Sequence, residues 1–112
     1  MATIDECRTA LEQFAENLAS NPKSVRKLQG FQRSLAADIT DLSVSFNGKF
    51  DQGKLTGITD GDNPDAEIRM IVASDDLLKL VAGELDFMKA FTGGQVKIKA
   101  NMMDLMKLRG VL

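Results

Sequence analysis

Apolar residues recur along the chain with two different periods. Between residues 2 and 19, Ile4, Cys7, Leu11, Phe14 and Leu18 follow one another at spacings of three and four. That spacing gathers them on one face of a helix, with Glu6, Arg8, Glu12, Gln13 and Glu16 on the others. Asn21-Pro22 restarts the chain, since Asn suits a helix N-cap and Pro the first helical position. A short second helix is expected there, with Val25 and Leu28 inward and a stop near Gly30.

The period then changes to two. Leu35, Ala37 and Ile39 share a face; Leu42, Val44, Phe46 and Phe50 alternate with Ser43, Ser45, Asn47 and Lys49. Alternation of this kind marks a half-buried strand. Asp51-Gln52-Gly53 reads as a hairpin turn, residues 54–59 as the returning strand, and Asp60 to Asp65 as a loop of turn formers. Residues 66–73 form a further strand, with Ile68, Met70 and Val72 inward and Glu67 and Arg69 outward.

Helical spacing returns after this. Ser74 is placed to cap a helix with Asp75 and Asp76 in its first turn, Leu77, Leu78, Leu80 and Val81 on its apolar side, and Gly83 at its end. Asp86 can cap a second short helix carrying Phe87, Met88, Ala90 and Phe91, which Gly93-Gly94 stops. Residues 95–100 are a last strand, and Asn101 caps a terminal helix with Asp104 at its third position. Each strand buries one face only. The expected fold is therefore α+β: a five-stranded mixed or antiparallel sheet with helices packed on one face.

Composition narrows the functional classes. A chain of 112 residues fits a single domain over 1–112 and is long enough for one core without disulfides or metals. Its net charge of −2 provides no basic field for a polyanion, and an aromatic content of 5%, all Phe, provides few stacking platforms. Nucleic acid is not an expected partner. Cys7 is alone on a helical apolar face, where it reads as a small buried hydrophobe rather than a reactive thiol. The early acidic residues do not suit a signal peptide, and the last three residues are not a peroxisomal address. A cytoplasmic location is the expectation.

Candidate chemistry is thin. The chain contains no His, Trp or Tyr, which removes Ser-His and Cys-His nucleophile pairs. Asp60, Asp62 and Asp65 resemble a calcium loop only superficially: Pro64 and Asp65 displace needed residues, and Ile71 stands where a bidentate Glu belongs. No cofactor, metal or catalytic activity is expected. Lys97 and Lys99 form a basic stripe on the outer strand face, a solvated surface or a contact for lipid headgroups. The terminal helix is the informative element. Met102, Met103, Leu105, Met106 and Leu108 spread beyond one narrow stripe and include half of the six methionines. Such a surface suits repacking around varied apolar partners; by periodicity alone it is equally a core or homodimer contact.

From Ser74 onward the order of motifs is similar to the closing half of sterol carrier protein lipid-binding domains. The matching residues are Asp75-Asp76-Leu77-Leu78, Gly83-Glu84-Leu85-Asp86, Met88-Lys89-Ala90-Phe91, Gly94-Gln95-Val96-Lys97-Ile98 and the helix from Met102. The hairpin at 51–53 and the Pro64-Asp65-Ala66-Glu67-Ile68 strand also fit, whereas Ala100-Asn101 stands where the family often has Gly-Asp. The likeness covers roughly residues 33–108, and an untargeted domain of this kind resembles prokaryotic members. It implies a non-catalytic binder of a fatty acid, acyl-CoA, phospholipid or sterol-like ligand in a tunnel between sheet and helices. It also implies a ligand wall made of Phe46, Met70, Leu77, Leu80, Val81, Phe87, Met88, Phe91, Met102, Met103, Leu105 and Met106, with transient membrane contact. The alternatives are a dimerisation module with a filled core and an accessory subunit of an acyl-processing enzyme.

Overall fold

The computed structural model describes residues 1–110. Its sheet is organised around a tight hairpin, β2 (Val44–Asp51) and β3 (Lys54–Asp60), joined at Gln52-Gly53 with φ of 51° and 81°. Two positive φ values in succession give the hairpin the twist that its strands need. Glycine is required at the second position for a further reason. A Cβ there would lie 2.7 Å from the Val25 carbonyl oxygen, so the hairpin tip and the second helix approach backbone to backbone.

The five strands lie in the order β3-β2-β1-β4-β5, with β1 spanning Arg33–Ile39, β4 Ile68–Val72 and β5 Val96–Lys99. β1 runs parallel to β4, and every other neighbouring pair is antiparallel, so the sheet is mixed. The inward residues Leu35, Ala37, Ile39, Phe46, Phe50, Leu55, Ile68, Val72 and Val96 are all buried. The opposite face is polar. There Asp38 accepts hydrogen bonds from the Ser45 hydroxyl (2.7 Å) and the Arg69 guanidinium (2.8 Å), which also reaches Asp62 (3.0 Å). Period-two patterning over these segments thus becomes one wet and one dry face.

Five helices cover the dry side and its ends: α1 (Ile4–Ser20), α2 (Pro22–Lys27), α3 (Ser74–Val81), α4 (Phe87–Thr92) and α5 (Met102–Arg109). Thr3 and Glu6 form a reciprocal capping box that starts α1 at Ile4 rather than at residue 2. The same cap turns Ile4 outward, contrary to the expectation from its spacing, while Cys7, Leu11 and Leu18 are buried as the pattern predicts. Asn21, Asp86 and Asn101 cap α2, α4 and α5 through their side-chain oxygens.

Ser74 corrects another expectation. It is the first residue of α3, not its cap, and its side chain is fully buried. The carboxylate of Asp41, from the β1–β2 connection, accepts both the Ser74 amide (2.8 Å) and its hydroxyl (2.6 Å). The Ser74 hydroxyl oxygen in turn accepts the Ala2 amide at 3.1 Å. A loop carboxylate 33 residues away therefore does the capping, and the same bonds hold the Asp41 carboxyl below its ordinary value of 3.8.

Candidate functional site

The buried residues form two clusters. One gathers Cys7, Leu11, Ile39, Phe46, Val72, Leu77, Ala90 and Val96; the other Leu18, Leu28, Phe31, Leu35, Phe50, Leu55, Ile68 and Leu108. Where they meet, the sheet and the helices do not close completely on each other. A cavity of about 260 Å³ remains, far beyond the roughly 10–15 Å³ that one water needs on the same measure. This is too large for a packing defect in an interior of normal density.

Its walls come from most elements of the fold. α1 contributes Leu11, Phe14 and Leu18; the sheet contributes Leu35, Phe50, Ile68, Met70 and Ile98; α3 and α4 contribute Leu77, Leu80, Val81 and Phe87; α5 contributes Leu108. The polar lining is confined to Asn17, Asn21 and Ser24, which follow one another across the α1–α2 junction. Asn17 and Asn21 are exposed, so the cavity has a mouth at this junction. Ser24, by contrast, is 3% exposed and stands further in. No ionisable side chain lines the walls among the described residues. A cavity with walls of this kind can hold an apolar group.

Of the residues expected in a ligand wall, Met70, Leu77, Leu80, Val81 and Phe87 come together around this cavity. Phe91 stands behind the wall, stacked on Phe87 with ring centroids 6.1 Å apart. Met88 and Leu105 are half-buried and outside the lining. Phe46 is buried on the far side of Leu11, beside a separate void of about 10 Å³.

The terminal helix departs furthest from expectation. Met102, Met103 and Met106 are 71%, 81% and 63% exposed, and none lines the cavity. The physical reason is Asp104. Its side chain is only 6% exposed because Arg33 donates from Nε to its carboxylate at 2.8 Å. That ion pair, with Leu108 one turn later, turns the Asp104–Leu108 side of α5 inward and the three methionines outward. The interaction raises the Arg33 pKa, chiefly through the hydrogen bond to Asp104.

Other candidate groups have structural partners. Asp60 takes the guanidinium of Arg8 and Asp62 that of Arg69. Among the described residues no three or more metal-ligating side chains converge. Cys7 is buried, and burial is the main cause pushing its thiol pKa up, with Asp41, Glu6 and Asp75 adding to it. No described helix is long and apolar enough to cross a membrane.

The sequence model of the SCP-2 sterol transfer family matches residues 11–112. The chain belongs to this family. Among solved structures, a palmitated sterol carrier protein 2-like protein of Aedes aegypti is 16% identical, with a TM-score of 0.70 over 98% of this chain and 94% of that one. A UbiJ ubiquinone synthesis protein is 14% identical, with a TM-score of 0.63 over 93% and 90%. The stereoselective inverting sec-alkylsulfatase of a Pseudomonas species is 26% identical, with a TM-score of 0.61 over 79% of this chain. The chain spans 14% of that alkylsulfatase's length. No curated protein sequence matches the chain. Membership of the SCP-2 sterol transfer family makes this a domain of a lipid-binding and transfer class that is generally non-catalytic.

Proposed function

We propose that the protein is a cytoplasmic, non-catalytic carrier of a single-chain apolar ligand, a fatty acid, an acyl-CoA or one chain of a phospholipid, held in the cavity between sheet and helices. The observation that carries this reading is the 260 Å³ space with apolar walls and a polar lining restricted to Asn17, Asn21 and Ser24. An acyl chain would lie against Met70, Leu77, Leu80, Val81 and Phe87 with its polar end at the α1–α2 junction. Burying about ten methylenes contributes roughly 8 kcal/mol before ordering costs, which sets about a micromolar as the tightest dissociation constant that burial alone supplies. The cavity size favours one flexible chain over a rigid sterol.

The test is native mass spectrometry of the gently purified protein, followed by organic extraction of whatever travels with it. A co-purified fatty acid or phospholipid is the expected result. An apo protein that takes up no added acyl chain would remove the carrier reading. A second reading, in which the domain presents an apolar substrate to an acyl-processing enzyme, is favoured by the likeness to the ubiquinone synthesis protein and to a segment of the alkylsulfatase. Co-purification of such an enzyme with the tagged protein distinguishes it from a free carrier.

A further inference from the structure

α5 carries its apolar residues on both sides. At about 100° per residue, Met102, Met106 and Met103 fall within one arc of about 100°, and Asp104, Leu105 and Leu108 fall on the opposite arc. The inward arc is occupied by the ion pair to Arg33 and by the cavity wall. The outward arc is three exposed methionines with nothing packed over them among the described residues. On the same projection Arg109 and Lys107 stand at its two edges.

The cations continue beyond the helix. Lys27 of α2 donates from Nζ to the Gly110 carbonyl at 2.9 Å, which ties the end of α5 to α2. α2 itself carries Lys23, Arg26 and Lys27 and no acidic residue. Together the two helices present five cations, Lys23, Arg26, Lys27, Lys107 and Arg109, against one carboxylate, Asp104, which is buried and neutralised. Beside this end, Glu67 lies 3.7 Å from Arg33, and Asp51 accepts from Gln32. In a chain of net charge −2 this end is locally and strongly positive.

We infer that this end of the molecule docks on an anionic phospholipid bilayer, with Met102, Met103 and Met106 inserted among the acyl chains and the cations of α2 and α5 on the headgroup phosphates. Flexible apolar side chains rimmed by Lys and Arg have the composition of an interfacial helix, and charge selects a bilayer over an uncharged apolar partner. Docking has a geometric consequence. The α1–α2 junction with Asn17, Asn21 and Ser24 adjoins α2, so the cavity mouth is brought to the membrane surface. Leu108, on the other side of α5 from the inserted methionines, forms part of the cavity wall. The geometry stands on its own, but its use in loading and unloading a chain rests on the carrier reading.

The test is flotation with unilamellar vesicles of phosphatidylcholine containing about a third phosphatidylglycerol, and with phosphatidylcholine alone. The native protein is expected to float with the anionic vesicles, less so at high salt. The triple variant Met102→Ser, Met103→Ser, Met106→Ser should lose at least tenfold in partitioning. Lys107→Gln with Arg109→Gln should lose about fivefold per cation. Because the chain contains no Trp, Met103→Trp provides a single reporter whose emission shifts to the blue on insertion. Equal flotation of the native and triple-serine proteins, or an unshifted Trp, overturns the inference. So does a homodimer that buries the methionines and dissociates in the serine variant. Fatty-acid uptake in free solution reads the carrier function separately, since none of the three methionines lines the cavity. A protein that docks but takes up no chain keeps this inference and loses the carrier reading, and the converse result does the opposite.

Discussion

Filling the cavity should separate lipid binding from folding. Leu80 is half-buried in the cavity wall on α3, and Leu80→Trp places an indole in space that is empty. Overpacking a closed core costs about 1–3 kcal/mol; here the void accepts the ring, so the ligand-free melting temperature should stay within about 4 °C of the parent. The ligand response should not survive. A chain bound at a free concentration of 100 times its dissociation constant stabilises the folded state by about 2.7 kcal/mol. For 112 residues, an unfolding entropy of about 2.1 cal/mol/K per residue turns that into a rise of roughly 11 °C. Differential scanning fluorimetry with dodecanoate should show this rise for the native protein and less than about 2 °C for Leu80→Trp. As a control, Leu80→Ala enlarges the space; it should melt earlier but keep its response to the ligand. A native protein indifferent to dodecanoate, or a Leu80→Trp variant that responds in full, would refute the assignment of the cavity. Collapse of the ligand-free Leu80→Trp protein would show that the space is not there to be filled.

Three further outcomes follow from particular contacts. Gly53→Ala should lower the melting temperature by 8 °C or more in thermal unfolding, because φ of +81° strains a side-chain-bearing residue by about 1–2 kcal/mol and its Cβ would meet the Val25 carbonyl at 2.7 Å. Asp41 has its pKa lowered by the Ser74 hydroxyl and amide, so its stabilisation is complete above about pH 4, the unfolded value, and is lost as pH falls through the lower folded value. Melting curves of Asp41→Asn and the parent should therefore differ at neutral pH and converge in acid. Cys7 should react with a disulfide reagent at pH 8 only on the timescale of unfolding, since it is buried and its thiol pKa is raised; rapid labelling of the native protein would contradict this placement.

The fold was largely legible because local rules and burial agree over most of the chain. The alternation through Phe46 and Phe50, the turn at Gln52-Gly53 and the caps Asn21, Asp86 and Asn101 each act within a few residues, and each is where the pattern places it. Period-two patterning does not reveal the parallel pairing of β1 with β4, since a strand with one buried face reads the same in a mixed or an antiparallel sheet. Ser74 and Ile4 were misplaced for related reasons. A Ser before a helix looks like a cap until a distant carboxylate takes its amide, and Ile4 belongs to the apolar spacing until the cap at Thr3 sets the helix phase.

The cavity was harder to read than the fold because a void is missing packing, and no residue type signals it. Leu18, Leu35, Ile68 and Leu108 line it yet have the same composition, spacing and burial as residues that fill a core. A quarter of the lining, Leu77, Leu80, Val81 and Phe87, is reachable from the sequence because two short apolar helices must both face the sheet. For α5 periodicity had no power, since Met102, Met103, Leu105, Met106 and Leu108 are apolar nearly all round the helix. The choice of inward face fell to one charge. Asp104 is buried because Arg33, 71 residues earlier, lies at the start of β1 and holds it. An exposed charge on a surface helix is worth little, but a buried carboxylate must keep its partner or be expelled. One long-range ion pair thus orients the helix, seals the cavity with Leu108 and leaves three methionines facing outward. The same sequence feature that suggested a ligand wall becomes, after that rotation, a surface for the medium in which such ligands reside.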